Sequence, residues 1–90
     1  MAGEKFLRRK IMFYTYVLQS LKDNKLYIGY SERLQERITE HKNGKVIATA
    51  KRLPLILVYY EACLNKEKAL QREKYFKTGF GRRFLKKRVF

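Results

Sequence analysis

Ninety residues make one small domain with room for a single apolar core, and 46% hydrophobic residues, including seven Tyr and six Phe, exclude a disordered chain. Twenty-two Lys and Arg against eight Asp and Glu leave a formal net charge of +14, which points to polyanionic partners. A single cysteine, Cys63, excludes an internal disulfide and fits a reducing, cytoplasmic setting; the longest apolar stretch, Leu53 to Tyr60, contains a proline and is strand-sized, so no membrane span is expected.

Residues 1–11 have no clear period and no apolar core or cleavage site of a secretory signal; they read as a basic leader, with the domain over 12–90. Phe13 to Gln19 is rich in aromatic and β-branched residues and predicts a strand. Tyr14, Tyr16 and Leu18 share one face and Phe13, Thr15 and Val17 the other, so both faces are mostly apolar and the strand is expected to be central. Lys22-Asp23-Asn24 supplies a turn, and Lys25 to Gly29 returns as the second strand of a hairpin.

Ser31 is positioned to cap a helix over Glu32 to Lys42, which Asn43-Gly44 stops. A basic loop follows to Pro54, then a third strand over Leu55 to Glu61, with Cys63 at its end expected to be a small buried residue. Asn65 predicts the cap of a helix running to Lys77, Gly79 to Gly81 breaks it, and Arg82 to Phe90 predicts a last short basic helix. The order β-β-α-β-α-α predicts an α+β domain, a small antiparallel sheet packed by helices.

Within the helix at Lys66 to Lys77, Ala69, Leu70 and Phe76 define the inward stripe. Glu73 falls inside it, three residues after Leu70 and three before Phe76. A carboxylate there requires a compensating cation: either an ion pair with a neighbouring Lys or Arg, the commoner outcome, or a divalent metal. Arg37 and His41 lie one helical turn apart, at the edge of the stripe marked by Leu34 and Ile38. Arginine offers a planar fork of donors for a phosphate. Taken alone, His41 reads as a surface residue and Arg37 as a partner of Glu36 or Glu40, just as the tyrosines alone read as sheet-packing aromatics.

As a set they read differently. Tyr14-Thr15-Tyr16 and Tyr27-Ile28-Gly29, with eleven residues from Tyr16 to Tyr27, Arg37 ten residues further on, then His41 and Glu73, resemble the GIY-YIG endonuclease superfamily. The resemblance extends from Phe13 to about Val89 and is best to small single-domain bacterial members, of the kind found as the N-terminal domain of the excision-repair nuclease. It implies a three-stranded antiparallel sheet flanked by helices and a catalytic set of Tyr16, Tyr27, Arg37, His41 and Glu73. It further implies that Glu73 holds one Mg²⁺ or Mn²⁺ ion, and that Gly29 is a structural position where a side chain would crowd the site. The implied activity is metal-dependent hydrolysis of DNA phosphodiesters, directed by substrate structure in repair or recombination. Tyr30 stands where some relatives have lysine, and no asparagine follows Glu73, which keeps open a non-catalytic DNA- or RNA-binding module.

The charge excess is one-signed: from Lys66 to Phe90, ten Lys and Arg face only Glu67 and Glu73. Phosphate contacts are therefore expected from Lys42, Lys45, Lys51, Arg52, Arg72, Lys77, Arg82 and Arg83, and the family resemblance implies DNA ahead of RNA as the partner. Nothing reads as a base-specific module, so specificity is either low or supplied by substrate structure or a protein partner.

Overall fold

The computed structural model describes residues 11–90, so the expected leader lies outside it apart from Ile11. β1 (Phe13–Ser20) is the central strand of an antiparallel sheet of order β2-β1-β3, pairing with β2 (Leu26–Ser31) and β3 (Leu55–Cys63). Its two apolar faces explain that position, because helices cover both sides. Tyr16 and Leu18 pack with Ile38 of α1 (Leu34–Lys42) and with Leu55. On the opposite face Val17 and Ile28 pack with Phe76 of α2 (Lys66–Phe76) and Leu85 of α3 (Gly79–Val89). Complete burial of a side chain such as Phe76 or Leu85 contributes about 1.5–3 kcal/mol. The Thr15 hydroxyl donates to the Ala69 carbonyl at 2.7 Å, tying the central strand to α2.

Several boundaries differ from the sequence expectation for local reasons. Ser31 does not cap α1. It is still paired with Tyr14 in the sheet, and its Oγ accepts the Arg33 N–H at 2.9 Å, so the chain needs two more residues to turn before the helix starts at Leu34. Asn65 does cap α2, its Oδ1 accepting the Lys68 N–H at 3.0 Å. The glycines expected to separate the last two helices lie inside the first turn of α3, which Thr78 caps. Gly81 is needed there because a Cβ would overlap the backbone of Tyr75 and Phe76, so its absence lets α3 approach α2 closely. Cys63 is half-buried rather than enclosed, with its Sγ 3.2 Å from the Asn65 carbonyl.

The hairpin turn places Asn24 in the left-handed region, with φ 60°, a conformation asparagine tolerates. The segment 44–54, expected as a basic loop, winds tightly and buries Val46 and Thr49. Ser20 anchors its far end by donating to the Arg52 carbonyl at 2.6 Å. Among the described residues no helix is long and apolar enough to cross a membrane.

Candidate active site

The register pairs Tyr16 with Gly29, and the Tyr16 ring lies across the space that a side chain at 29 would fill. A Cβ there would collide with the phenol carbon and oxygen. The phenol can therefore cross β2 only because residue 29 is glycine. Its hydroxyl meets His41 Nε2 at 2.8 Å, and His41 Nδ1 meets Thr49 Oγ1 at 2.7 Å. All three side chains are enclosed, each at 1% exposure or less. His41 is thus a buried core residue and not the surface histidine its sequence position suggests in isolation.

Burial holds the His41 imidazole below the ordinary histidine range, and the nearby Arg37 charge lowers it further while Glu40 opposes. The ring is neutral at pH 7, with one nitrogen donating and the other accepting. Burial raises the Tyr16 phenol above its usual value; Arg37 beside it pulls the other way, and Tyr27 and Glu73 push up. Tyr16 is a neutral phenol under ordinary conditions.

A pH effect on stability follows. Unfolded His41 titrates near ~6.5. The folded residue titrates lower, so the unfolded chain binds more protons between the two values and stability falls as pH drops through that window. The melting temperature should decline from pH 7 towards pH 5. His41→Asn should be less stable at pH 7 and show a flatter dependence over that interval, since His41 is the only histidine. An equal slope for both proteins in calorimetry would contradict the buried neutral ring.

Tyr27 completes the aromatic lining, its ring centroid 5.1 Å from that of His41 and 6.5 Å from that of Tyr16. Arg37 reaches the same place from α1; its guanidinium is stabilised first by the Tyr16 phenol and next by Glu40, which it meets at 3.0 Å. Glu73 comes from α2, on the opposite side of the sheet, and contributes least of the groups that act on the Tyr16 phenol. Its carboxylate is 22% exposed and meets Lys77 at 3.4 Å, so the ion-pair alternative weighed from sequence is present in the structure. The structure therefore brings Tyr16, Tyr27 and His41 into contact, with Arg37 beside the Tyr16 phenol and Glu73 on a separate helix. It adds Thr49, which sequence reasoning missed because a threonine in a loop of small and basic residues carries no periodic signal.

The expected phosphate contacts are less uniform. Lys42, Lys45, Lys51, Lys77, Arg82 and Arg83 are exposed. Arg52 is half-buried and bonded to Asp23 at 3.1 Å. Arg72 does not have the free fork expected of a phosphate ligand: it makes two bonds to Glu61, both at 2.8 Å, and lies over the rings of Phe76, Tyr75 and Phe84. It is a packing element between β3 and the helical layer, because its stem and fork both find partners there.

The donor set suits a hard divalent ion only in a sparse form. Among the described residues no three His, Cys, Asp or Glu side chains gather in a metal-ligand cluster. Glu73 is a single half-buried carboxylate with an exposed lysine as its partner, which a divalent ion could displace. That fits Mg²⁺, which keeps several waters and takes substrate phosphate oxygens beside one protein carboxylate.

This fold, with paired tyrosine motifs on two strands and an arginine and a glutamate on separate helices, defines a nuclease-type domain. Residues 12–87 match the GIY-YIG catalytic domain, and the chain belongs to the GIY-YIG family, a family of nucleases. Among its relatives, a UPF0213 protein of Staphylococcus haemolyticus is 41% identical over 66 residues, covering 72% of this chain and 79% of that protein. One of Bacillus licheniformis is 43% identical over 65 residues, covering 71% and 66%. The solution NMR structure of a UPF0213 protein from Bacillus halodurans superposes with a TM-score of 0.52 at 32% identity, covering 82% of this chain and 81% of that one.

Proposed function

We propose that this protein is a divalent-metal-dependent endonuclease that hydrolyses DNA phosphodiester bonds, directed to structured sites of the kind that arise in repair or recombination. The observation that carries the reading is the Tyr16 hydroxyl bonded at 2.8 Å to a buried, neutral His41, with Arg37 alongside. A neutral phenol is a weak base alone, but this one has a proton acceptor behind it. As water attacks phosphorus, its proton passes to the Tyr16 oxygen while the Tyr16 proton passes to His41 Nε2. The bond to the leaving oxygen breaks, that oxygen takes a proton from solvent, and His41 returns its proton to solvent through Tyr16. With the His41 proton on Nδ1, Thr49 Oγ1 at 2.7 Å accepts it and Nε2 is left free to take the proton from Tyr16. Arg37 offers its fork to the charge growing on the phosphate oxygens. Tyr27 excludes water from one side of the imidazole. Glu73 would hold the divalent ion, which supplies Lewis-acid polarisation of the phosphate and stabilises the leaving oxygen.

A binding module without turnover is the second reading. It is favoured by the partners that Arg37 and Glu73 already have in Glu40 and Lys77. Labelled single-stranded, duplex and branched DNA, with RNA counterparts, separates the two when offered in chelator and in Mg²⁺ or Mn²⁺. We expect cuts in DNA that depend on the ion. Binding in chelator with every substrate intact across the metal titration would select the module.

A further inference from the structure

We propose that the cleft between the β1–β2 turn and α3 is a phosphate-binding subsite for the backbone flanking the bond to be cut. The inference builds on the nucleic-acid reading of the active site. The cleft has a volume of about 600 Å³ and is lined by Asn24, Lys25, Leu26, Arg52, Arg82 and Lys86. Four of these six residues are cationic and none is acidic. Among the described residues, no ion pair joins Lys25, Arg82 or Lys86 to a carboxylate; Arg52 alone has one, with Asp23 on the rim. Like charges gathered around one cavity repel one another, and a polyanion relieves that cost.

The cations are held by fixed elements. Asp23 Oδ1 accepts the Lys25 N–H at 2.9 Å, which closes the turn that presents this lysine. Arg82 and Lys86 are one helical turn apart on α3, whose buried Gly81 and Leu85 lock the helix against the core. The Arg52 carbonyl is pinned by Ser20.

Position selects the occupant. Leu26 opens β2, an edge strand, and Gly29 beneath the Tyr16 phenol lies three residues along it. At ~3.4 Å per residue the cleft is about 10 Å from the phenol. That is about three phosphates along a duplex strand, at ~3.4 Å of axis each. A backbone entering at Tyr16 and following the β2 edge therefore reaches the cleft within a few nucleotides.

The test is DNA binding in chelator, where cleavage plays no part, using a labelled 20-nucleotide duplex over a salt series. The triple variant Lys25→Ala, Arg82→Ala, Lys86→Ala is compared with a charge-matched control, Lys66→Ala, Lys68→Ala, Lys87→Ala. The cleft triple should lower the slope of log K against log salt by about 2–3 units and weaken low-salt binding by at least tenfold, the control by much less. Equal losses in both triples would overturn the subsite in favour of diffuse charge. So would an intact slope accompanied by selective loss of binding to phosphatidylserine vesicles, which would make the cleft a lipid-headgroup site. Circular dichroism and melting temperature establish that both triples are folded. A wild-type protein that cuts nothing in Mg²⁺ but shows the slope difference would keep the subsite and sink the nuclease reading.

Discussion

Glu73→Gln is expected to lower metal-dependent cleavage by about 10²–10³-fold or more, the usual cost of losing a charge that acts on the transition state. The change keeps the shape of the side chain and removes only its charge. Stability should hardly move, because the pair with Lys77 is an i,i+4 contact at 3.4 Å on a partly exposed helix face. Such pairs contribute about 0.3–0.5 kcal/mol. Binding of DNA in chelator should be unchanged or slightly tighter, since an anion near the phosphate path has gone. The combination separates a metal-holding carboxylate from a structural one. Cleavage by Glu73→Gln in Mg²⁺ at the rate of the parent would remove Glu73 from the mechanism.

The second large effect is expected from Gly29→Ala, where one methyl group should cut activity steeply. Replacing glycine by alanine within a strand ordinarily stabilises by about 0.5–1 kcal/mol. Here the added Cβ would overlap the Tyr16 phenol, so the ring must move or β2 must separate from β1. Overpacking of this kind costs about 1–3 kcal/mol. For a chain of this size that is a fall in melting temperature of roughly 4–24 °C. Cleavage should drop by at least ~10²-fold, because the hydroxyl leaves both His41 and the phosphate. A double-mutant cycle isolates the cause. In the background of Tyr16→Ala the glycine substitution should cost little, since the ring it strikes is absent. Simple addition of the two losses would show that position 29 matters for another reason.

The fold was largely legible because its signals are local and repeated. A strand apolar on both faces had to be central, and Asn65 stood where a helix needed an acceptor. What escaped depended on contacts distant in sequence. Gly81 looked like punctuation, but its role comes from the approach of α3 to the backbone of Tyr75 and Phe76. Arg72 counted as one more surface cation until Glu61, eleven residues away on β3, took its fork. His41 lay at the edge of an amphipathic stripe, and its burial depends on the 44–54 segment closing over it with Thr49. In the candidate site, Tyr16, Tyr27, Arg37, His41 and Glu73 could be named from the motif resemblance. The Thr49 contact behind His41 could not be, since nothing in the chain announces which polar loop residue will meet an imidazole.

Thr15 and Tyr16 are neighbours that point to opposite sides of β1. One grips α2 through the Ala69 carbonyl and the other carries the phenol. Adjacent residues of one strand therefore carry a contact to the layer holding Glu73 and a contact to the layer holding Arg37. Any substrate touching both side chains acts as a strut between them and resists sliding of the helical layers past the sheet. Under the proposed mechanism, alignment in so small a protein would be a property of the whole body's stiffness rather than of a pocket that could flex independently.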